Sequence, residues 1–438
     1  MQADREAYPR DRWYLLGVLT LVYALNIADR YSITTLLEPI RLEMHLSDSG
    51  VGFLTGVAVA LFYLTVGIPI ASLADRSNRR NILVVALLLW SGMTALCGMA
   101  RNYWQLLLAR FGVGIGEGGG TPTSTSMIAD LFPAARRPLA LSVFSLGACI
   151  GAWLGSSVAG DIAQRYGWRA AFLALGIPGI VLALIILFTV REPVRGVLDR
   201  ARSNERPSSV RATIGFIWRQ KAALHLLAAG AVITLWSWGL MWWTPAFLAR
   251  SHHMSVGSAG GLLGPMHLIG GAAGTLIAAW IMGTRLGGDS RRVTQFLAVV
   301  TAAATIPSVL VYWVSATSTM TVLLWLFVPA VYFFVGPIFG LMQNVVPPNM
   351  RATACALLMF AANFANLVIA PQVVGWLSDW FAASFGAGDE SLRYALLVIA
   401  PTGLWAAFHL WRCREYIDAD EQRAMGDGVV SSLVGADS

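Results

Sequence analysis

The 438-residue sequence predicts an all-α integral membrane protein of twelve transmembrane helices in two six-helix halves. Hydrophobic residues make up 56% of the chain and charged residues 13%, against roughly a quarter charged in an average soluble protein. Twelve mostly apolar runs are long enough, at about 1.5 Å per residue, to cross about 30 Å of hydrocarbon. No ten-residue alternation suggests a barrel, and backbone groups in lipid must be paired within a helix otherwise. The 31 basic residues also sort by side: with both termini in the cytoplasm, 23 fall on cytoplasmic segments, six on the opposite loops and two inside spans. That asymmetry is the positive-inside pattern. The net charge of +7 therefore reports topology, and nothing favours nucleic acid as a partner.

A polar tail, residues 1–12, precedes span 1 (13–37), which is too long for a signal-peptide core and carries Asn26, Asp29 and Arg30. Span 2 (50–73) ends in a short basic loop with Asp75, Arg76, Arg79 and Arg80, followed by span 3 (82–100). Span 4 (103–128) contains Arg110 and Glu117, seven residues apart and so on one helix face. Span 5 (139–163) has Gly147, Gly151 and Gly155 at intervals of four, a stripe that lets helices approach closely, and span 6 (170–190) is purely apolar. These six form the first half, 13–190, and an Arg-rich cytoplasmic linker follows at 191–221.

The second half, 222–411, opens with span 7 (222–249), where Trp236 is deep enough to face a cavity and Trp242 and Trp243 read as an interfacial belt. Span 8 (258–282) carries His267. Span 9 (293–314) is apolar, and span 10 (320–346) ends in Gln343 and Asn344. Span 11 (353–380) has Asn363 and Asn366, span 12 (392–411) is apolar, and the chain closes with a cytoplasmic tail, 412–438. Residues 67–71 and 274–278 line up as a weak internal repeat, consistent with two related halves and a site between them near mid-membrane.

Ionisable residues inside spans are functional candidates, because each costs about 2.5–3.5 kcal/mol or more at the bilayer centre. Asp29, Arg30, Arg110 and Glu117 fall at compatible depths for one cluster. Asp29 and Arg30 point about 100° apart and so face different partners. In a buried site desolvation favours a neutral carboxyl and a nearby guanidinium favours the carboxylate, so a moving arginine can load and release a proton. Glu117 and Asp29 are the expected protonation sites, Arg30 and Arg110 their partners. Asn26, Trp236, His267, Asn344 and Asn363 are further candidates for the substrate path, and Asp75, Arg76, Arg79 and Arg80 for a cytoplasmic gate.

The single lysine, Lys221, follows Gln220, so no Walker A loop is present, and no catalytic or metal-ligand constellation emerges among the four scattered cysteines and six histidines. A Gly114-x-Gly116-x-x-Gly119 match lies inside a span and lacks the strand that a dinucleotide fingerprint requires. The expectation is secondary transport rather than an enzyme, without cofactor or metal and with protons as the coupling ion. The bilayer and an amphipathic or anionic small molecule are the expected partners, the protein a monomer and its location the plasma membrane, the inner membrane in a bacterium. A non-transporting receptor or a scramblase-like protein on the same architecture is the alternative of a different class.

Residues 71–80 and the run Leu106-x-x-x-Arg110 to Glu117 resemble signatures of the major facilitator superfamily over essentially the whole chain. Ala71 and Asn78 stand where the loop signature has glycine, and Ala152 where the span 5 antiporter signature has proline. Within the superfamily, Asn26-x-x-Asp29-Arg30, Asp75-Arg-x-Asn-Arg79, Ala129-Asp130-Leu-Phe132 and Arg191-Glu-Pro-x-Arg-Gly196 resemble the Spinster-type lipid transporters, as a bacterial homologue would. That resemblance implies alternating-access, proton-coupled movement of a lysolipid- or sphingolipid-like anion, with Asp29 and Glu117 at protonation positions and Arg30 and Arg110 meeting the headgroup. The anion:cation symporters share the Asn-x-x-Asp-Arg pattern and imply small organic anions instead. Drug-like amphiphiles are a third substrate class.

Overall fold

The computed structural model describes residues 12–61, 65, 69–70, 77–133, 136–193, 208–284 and 286–434, and among them every regular element is a helix. Helix α1 spans Arg12–Thr35, α2 Leu37–Met44, α3 Arg79–Cys97, α4 Tyr103–Glu117, α5 Gly120–Leu131, α6 Arg137–Trp153 and α7 Trp168–Thr189. Then follow α8 (Lys221–Ser251), α9 (Val256–Pro265), α10 (Gly271–Met282), α11 (Ser290–Trp313), α12 (Thr402–Cys413) and α13 (Ile417–Val434). Nine helical stretches among the described residues are long and apolar enough to cross a membrane. Three expected spans fall outside that set. Arg12, Asp29 and Arg30 lower the apolarity of α1. Most of 62–73 lies outside the described residues. The fourth span is broken at Gly118 and Gly119 into the 15 residues of α4 and the 12 of α5.

Polar side chains fix where the helices begin. Asn78 accepts a hydrogen bond from the Asn81 backbone N–H at 3.0 Å and starts α3; Asn102 does the same for α4 through Gln105. Asp289 starts α11 through Arg292, and Ser255 starts α9 through Ser258. Asn78, where the family loop signature has glycine, is thus an N-cap.

Five-residue π-turns interrupt the helices at Phe53–Val57, Leu154–Val158 and Met266–Gly270, and a six-residue one at Phe364–Ile369. These fall in the predicted spans 2, 5, 8 and 11, one in every third span. The recurrence is a structural repeat that residue identity barely records. π-turns of this kind frequently mark functional sites in helices.

By contact the chain forms two compact units, Met1–Ser203 with Trp242–Ile269, and Asn204–Met241 with Gly270–Ser438. In the first, α3 packs on α7 and α4, and α1 packs on α6. The glycine stripe of span 5 lies against the α1 backbone: Gly147 faces the Thr20 carbonyl, Gly151 the Ala24 carbonyl and Gly155 the Ala28 carbonyl. There is no room for a Cβ at these contacts, so Gly151→Leu is expected to cost about 1–3 kcal/mol or more by overpacking. Thermal unfolding in detergent measures this, with Gly17→Ala as the control, since nothing lies within 4 Å of a Cβ at Gly17.

In the second unit α11 packs on α12. The linker and tail expected as plain connectors both hold helices. Val210–Arg219 is a short helix that buries Thr213 and Ile217. In the tail, α13 docks through Asp420, whose carboxylate accepts from the Ala222 N–H at 2.7 Å and so caps the start of α8.

Candidate functional site

Helix α1 brings Asp29 and Arg30 into the first unit at successive angles, and both meet α4. Asp29 and Arg110 are bonded at 2.8 Å through Oδ2 and Nη1, and the second Asp29 oxygen accepts from Thr94 Oγ1 on α3 at 2.6 Å. Arg30 donates from Nε to Glu117 Oε2 at 2.8 Å. The helical geometry that separates Asp29 from Arg30 by about 100° thus produces two separate ion pairs, one at the middle of α4 and one at its C-terminal end.

The pairs differ in access. Asp29 and Arg110 side chains are 3% and 1% exposed, whereas Arg30 is 18% exposed beside a fully buried Glu117. Three buried atoms on α1 and α4 have no hydrogen-bond partner among the described residues: Glu117 Oε1, Arg110 Nε and Asn26 Nδ2. Two of them are N–H donors, so Glu117 Oε1 is the one acceptor of the three. Close packing holds the cluster's frame. A Cβ added at Gly114 of α4 would lie 2.6 Å from the Val59 carbonyl oxygen and one at Gly116 2.7 Å from the Trp90 backbone N, so the dinucleotide-like glycine pattern serves helix approach.

The second-half candidates separate into several environments. Trp236 is fully buried in the second unit, donates Nε1–H to Ser308 Oγ at 3.0 Å and packs on Phe327 and against Gly403. Its expected place on a cavity wall is therefore corrected: its indole is spent knitting α8 to α11 and α12. Trp242 and Trp243 are 7% and 0% exposed, so the interfacial belt is corrected too. Trp242 packs edge-on to Tyr31, the residue after Arg30, and His267 of the π-turn meets the same ring edge-on with centroids 4.7 Å apart. Asn344 is exposed, donates to Ser290 Oγ at 3.1 Å and lines a cavity of about 350 Å³ with Met282, Tyr332, Gly336 and Gly340. Asn363 is half-buried where its helix enters the last π-turn.

Of the expected gate, Asp75 and Arg76 lie outside the described residues. Arg79 bonds Asp130, Glu192, the Ser126 carbonyl and hydroxyl, and the Pro193 carbonyl. Arg80 donates to the carbonyls of Leu187 and Val190. Every one of these partners lies in the first unit, in α5, at the end of α7 or at the start of the linker, so Arg79 and Arg80 brace that unit. Asp130 and Glu192 gain a structural reason that the motifs alone did not supply.

Sequence reasoning missed Thr94, a neutral residue with no signal except its span, and a second buried charge cluster. In that cluster Arg250 bonds Asp48 through both terminal nitrogens at 2.6 and 2.7 Å, and Glu38 through Nε at 2.7 Å. Carboxylates flanking one of the rare arginines on the base-poor side were the available clue.

The Major Facilitator Superfamily model matches residues 19–371. An MFS-type efflux pump of Mycolicibacterium smegmatis is 33% identical over 413 residues, 93% of this chain and 94% of the pump. The sphingosine-1-phosphate transporter SPNS2 of Danio rerio is 28% identical over 407 residues, 87% of this chain and 80% of that protein. Among solved structures, a bacterial homologue of the human lysosomal transporter Spinster, inward-facing and unoccupied, superposes with a TM-score of 0.84 at 25% identity, covering 94% of this chain and 98% of that one.

Proposed function

The chain belongs to the Major Facilitator Superfamily, a transporter family rather than an enzyme family, and from that premise we propose that it is a proton-coupled secondary transporter of an amphipathic, lysolipid- or sphingolipid-like anion. Asp29 and Glu117 carry the proton, Arg30 and Arg110 are their counter-charges, and access alternates between the two sides of the plasma membrane with both termini in the cytoplasm. The observation that carries the reading is Glu117: a fully buried carboxylate with one oxygen on a partly exposed arginine and the other unpartnered. A proton on Oε1 and an anion on Arg30 are alternative ways to satisfy the same pair, which couples their binding.

The amphiphile is supported by charge confined to one bundle. The intramembrane arginines and carboxylates lie in the first unit, while the second offers large apolar surfaces and amides. The Danio rerio relative's named substrate has the same chemistry, an anionic head on a chain.

Purified protein in proteoliposomes tests this. Lysophospholipid or sphingoid phosphate is expected to accumulate with an imposed pH gradient and to stop when a protonophore collapses it. Accumulation of small organic anions alone would replace the substrate with that of the symporter reading. Gradient-independent equilibration of lipid would instead favour a scramblase.

A further inference from the structure

The linker helix Val210–Arg219 is fastened on one side and at both ends. The Ser208 N–H before it donates to the Asn349 carbonyl at 3.1 Å, and the Arg219 carbonyl at its end accepts from Arg423 Nη1 at 3.2 Å. Thr213 and Ile217, one turn apart, are buried, and the helix packs on Arg351–Asn363. All of these contacts lie within the second unit. The helix is therefore held in a fixed orientation, and its remaining surface faces outward.

That surface carries two different stripes. Val210, Ile214 and Trp218, spaced by four, are 58%, 37% and 70% exposed, so three large apolar side chains share one face. Arg211, Gly215 and Arg219 repeat the spacing about 100° further round, and both arginines are exposed. Among the described residues neither guanidinium has a partner. Nothing lies within 4 Å of a Cβ built at Gly215, so packing does not require a glycine there, and the backbone between the two arginines stays open.

The depth of the helix follows from its neighbour in sequence. Only Gln220, extended and buried, separates it from α8, whose apolar run starts at Ala222. Its 10 residues measure about 15 Å, half of the hydrocarbon thickness, so it does not span. A short helix at the mouth of a span, apolar on one face and cationic on the next, fits the plane of the interface, with arginines reaching out to phosphates. We propose that Val210–Arg219 is an interfacial helix that binds anionic phospholipid of the surrounding bilayer, with Val210, Ile214 and Trp218 among the upper acyl carbons and Arg211 and Arg219 on the phosphates. This lipid is a ligand of the protein's outer surface and not the transported molecule. The proposed topology supplies only its leaflet, the cytoplasmic one, and neither readout below involves transport.

Nitroxide labels at Ile214→Cys and Ala212→Cys stand about 160° apart on the helix. In full-length protein whose Cys97, Cys149, Cys355 and Cys413 are replaced by alanine, they report depth in nanodiscs of phosphatidylcholine with phosphatidylglycerol. The label at 214 is expected to be relaxed by oxygen and shielded from a water-soluble nickel chelate, and the label at 212 the reverse. A label at 214 as open to the chelate as the one at 212 overturns the interfacial placement. Native mass spectrometry of the unlabelled protein reads the headgroup. Wild type is expected to retain phosphatidylglycerol over phosphatidylcholine, and Arg211→Gln and Arg219→Gln each to lower that preference about fivefold, the worth of one arginine at an anionic surface. Both side chains are exposed, so the variants should melt as wild type does. An undiminished preference in the double variant overturns the arginine contact. A preference that inorganic phosphate abolishes at constant ionic strength marks a site for the free anion and overturns the bilayer as its source.

Discussion

Glu117→Gln is expected to abolish accumulation driven by a pH gradient while leaving the protein folded. One pH unit is worth 1.36 kcal/mol per proton, so coupling to one proton supports about tenfold accumulation per unit of gradient. In Glu117→Gln the internal-to-external ratio should fall to about one, whatever the gradient, because no group at that position exchanges a proton. The substitution is nearly isosteric, and the amide oxygen still accepts from Arg30 Nε, so a purely structural role for Glu117 would show as a lowered melting temperature with coupling retained. Exchange of labelled for unlabelled substrate at equal pH should persist, since it needs no net proton movement. Asp29→Asn provides the contrast. Both Asp29 oxygens are engaged, by Arg110 and by Thr94, and the residue is sealed from solvent. Its neutralisation is expected to disturb the Arg110 position as well as coupling. Gradient-driven accumulation that survives Glu117→Gln unchanged ends the proton assignment at this residue.

The architecture was legible in the sequence because lipid leaves the backbone few choices: apolar runs of about 20 residues must be helices, and the arginines report their direction. That Asp29 and Arg30 face different partners followed from helical angle; which partner each takes did not. The tryptophans were misread for a reason of the same generality. Trp236 was placed on a cavity wall and Trp242 and Trp243 at an interface, yet a ring of that size also fills a core, as Trp236 does with Ser308 as its acceptor, and the sequence alone does not show the neighbour. Arg79 could be placed either way from the sequence, because a charged loop residue looks alike whether it grips its own bundle or another. The Arg250 cluster was missed because it joins segments about 200 residues apart in sequence, and the π-turns because residue identity carries no sign of them.

Arg110→Ala and Arg30→Ala are expected to part company, and the difference follows from burial. Removing one partner of a buried pair leaves the other charged and unpaired, a loss of about 3–5 kcal/mol. Asp29 would be that partner in Arg110→Ala, because Thr94 alone remains to it, and a sharp drop in thermal stability in detergent should result. Neutralising both, in Asp29→Asn with Arg110→Ala, should recover much of the loss, since the stranded charge is gone; a double variant as unstable as the single would mean that packing around Arg110, not its charge, holds the helices. Arg30→Ala should cost far less stability, because its side chain already reaches solvent and Glu117 can accept a proton in its place. The anionic headgroup should discriminate in the opposite sense. It can reach Arg30 directly, but reaches Arg110 only after Asp29 lets go, so Arg30→Ala should weaken equilibrium binding of lysophospholipid in a protein of near-normal stability. The stabilised Asp29→Asn, Arg110→Ala protein separates the two roles: if it binds the headgroup as wild type does, Arg110 is a counter-ion that positions Asp29, and Arg30 alone makes the contact.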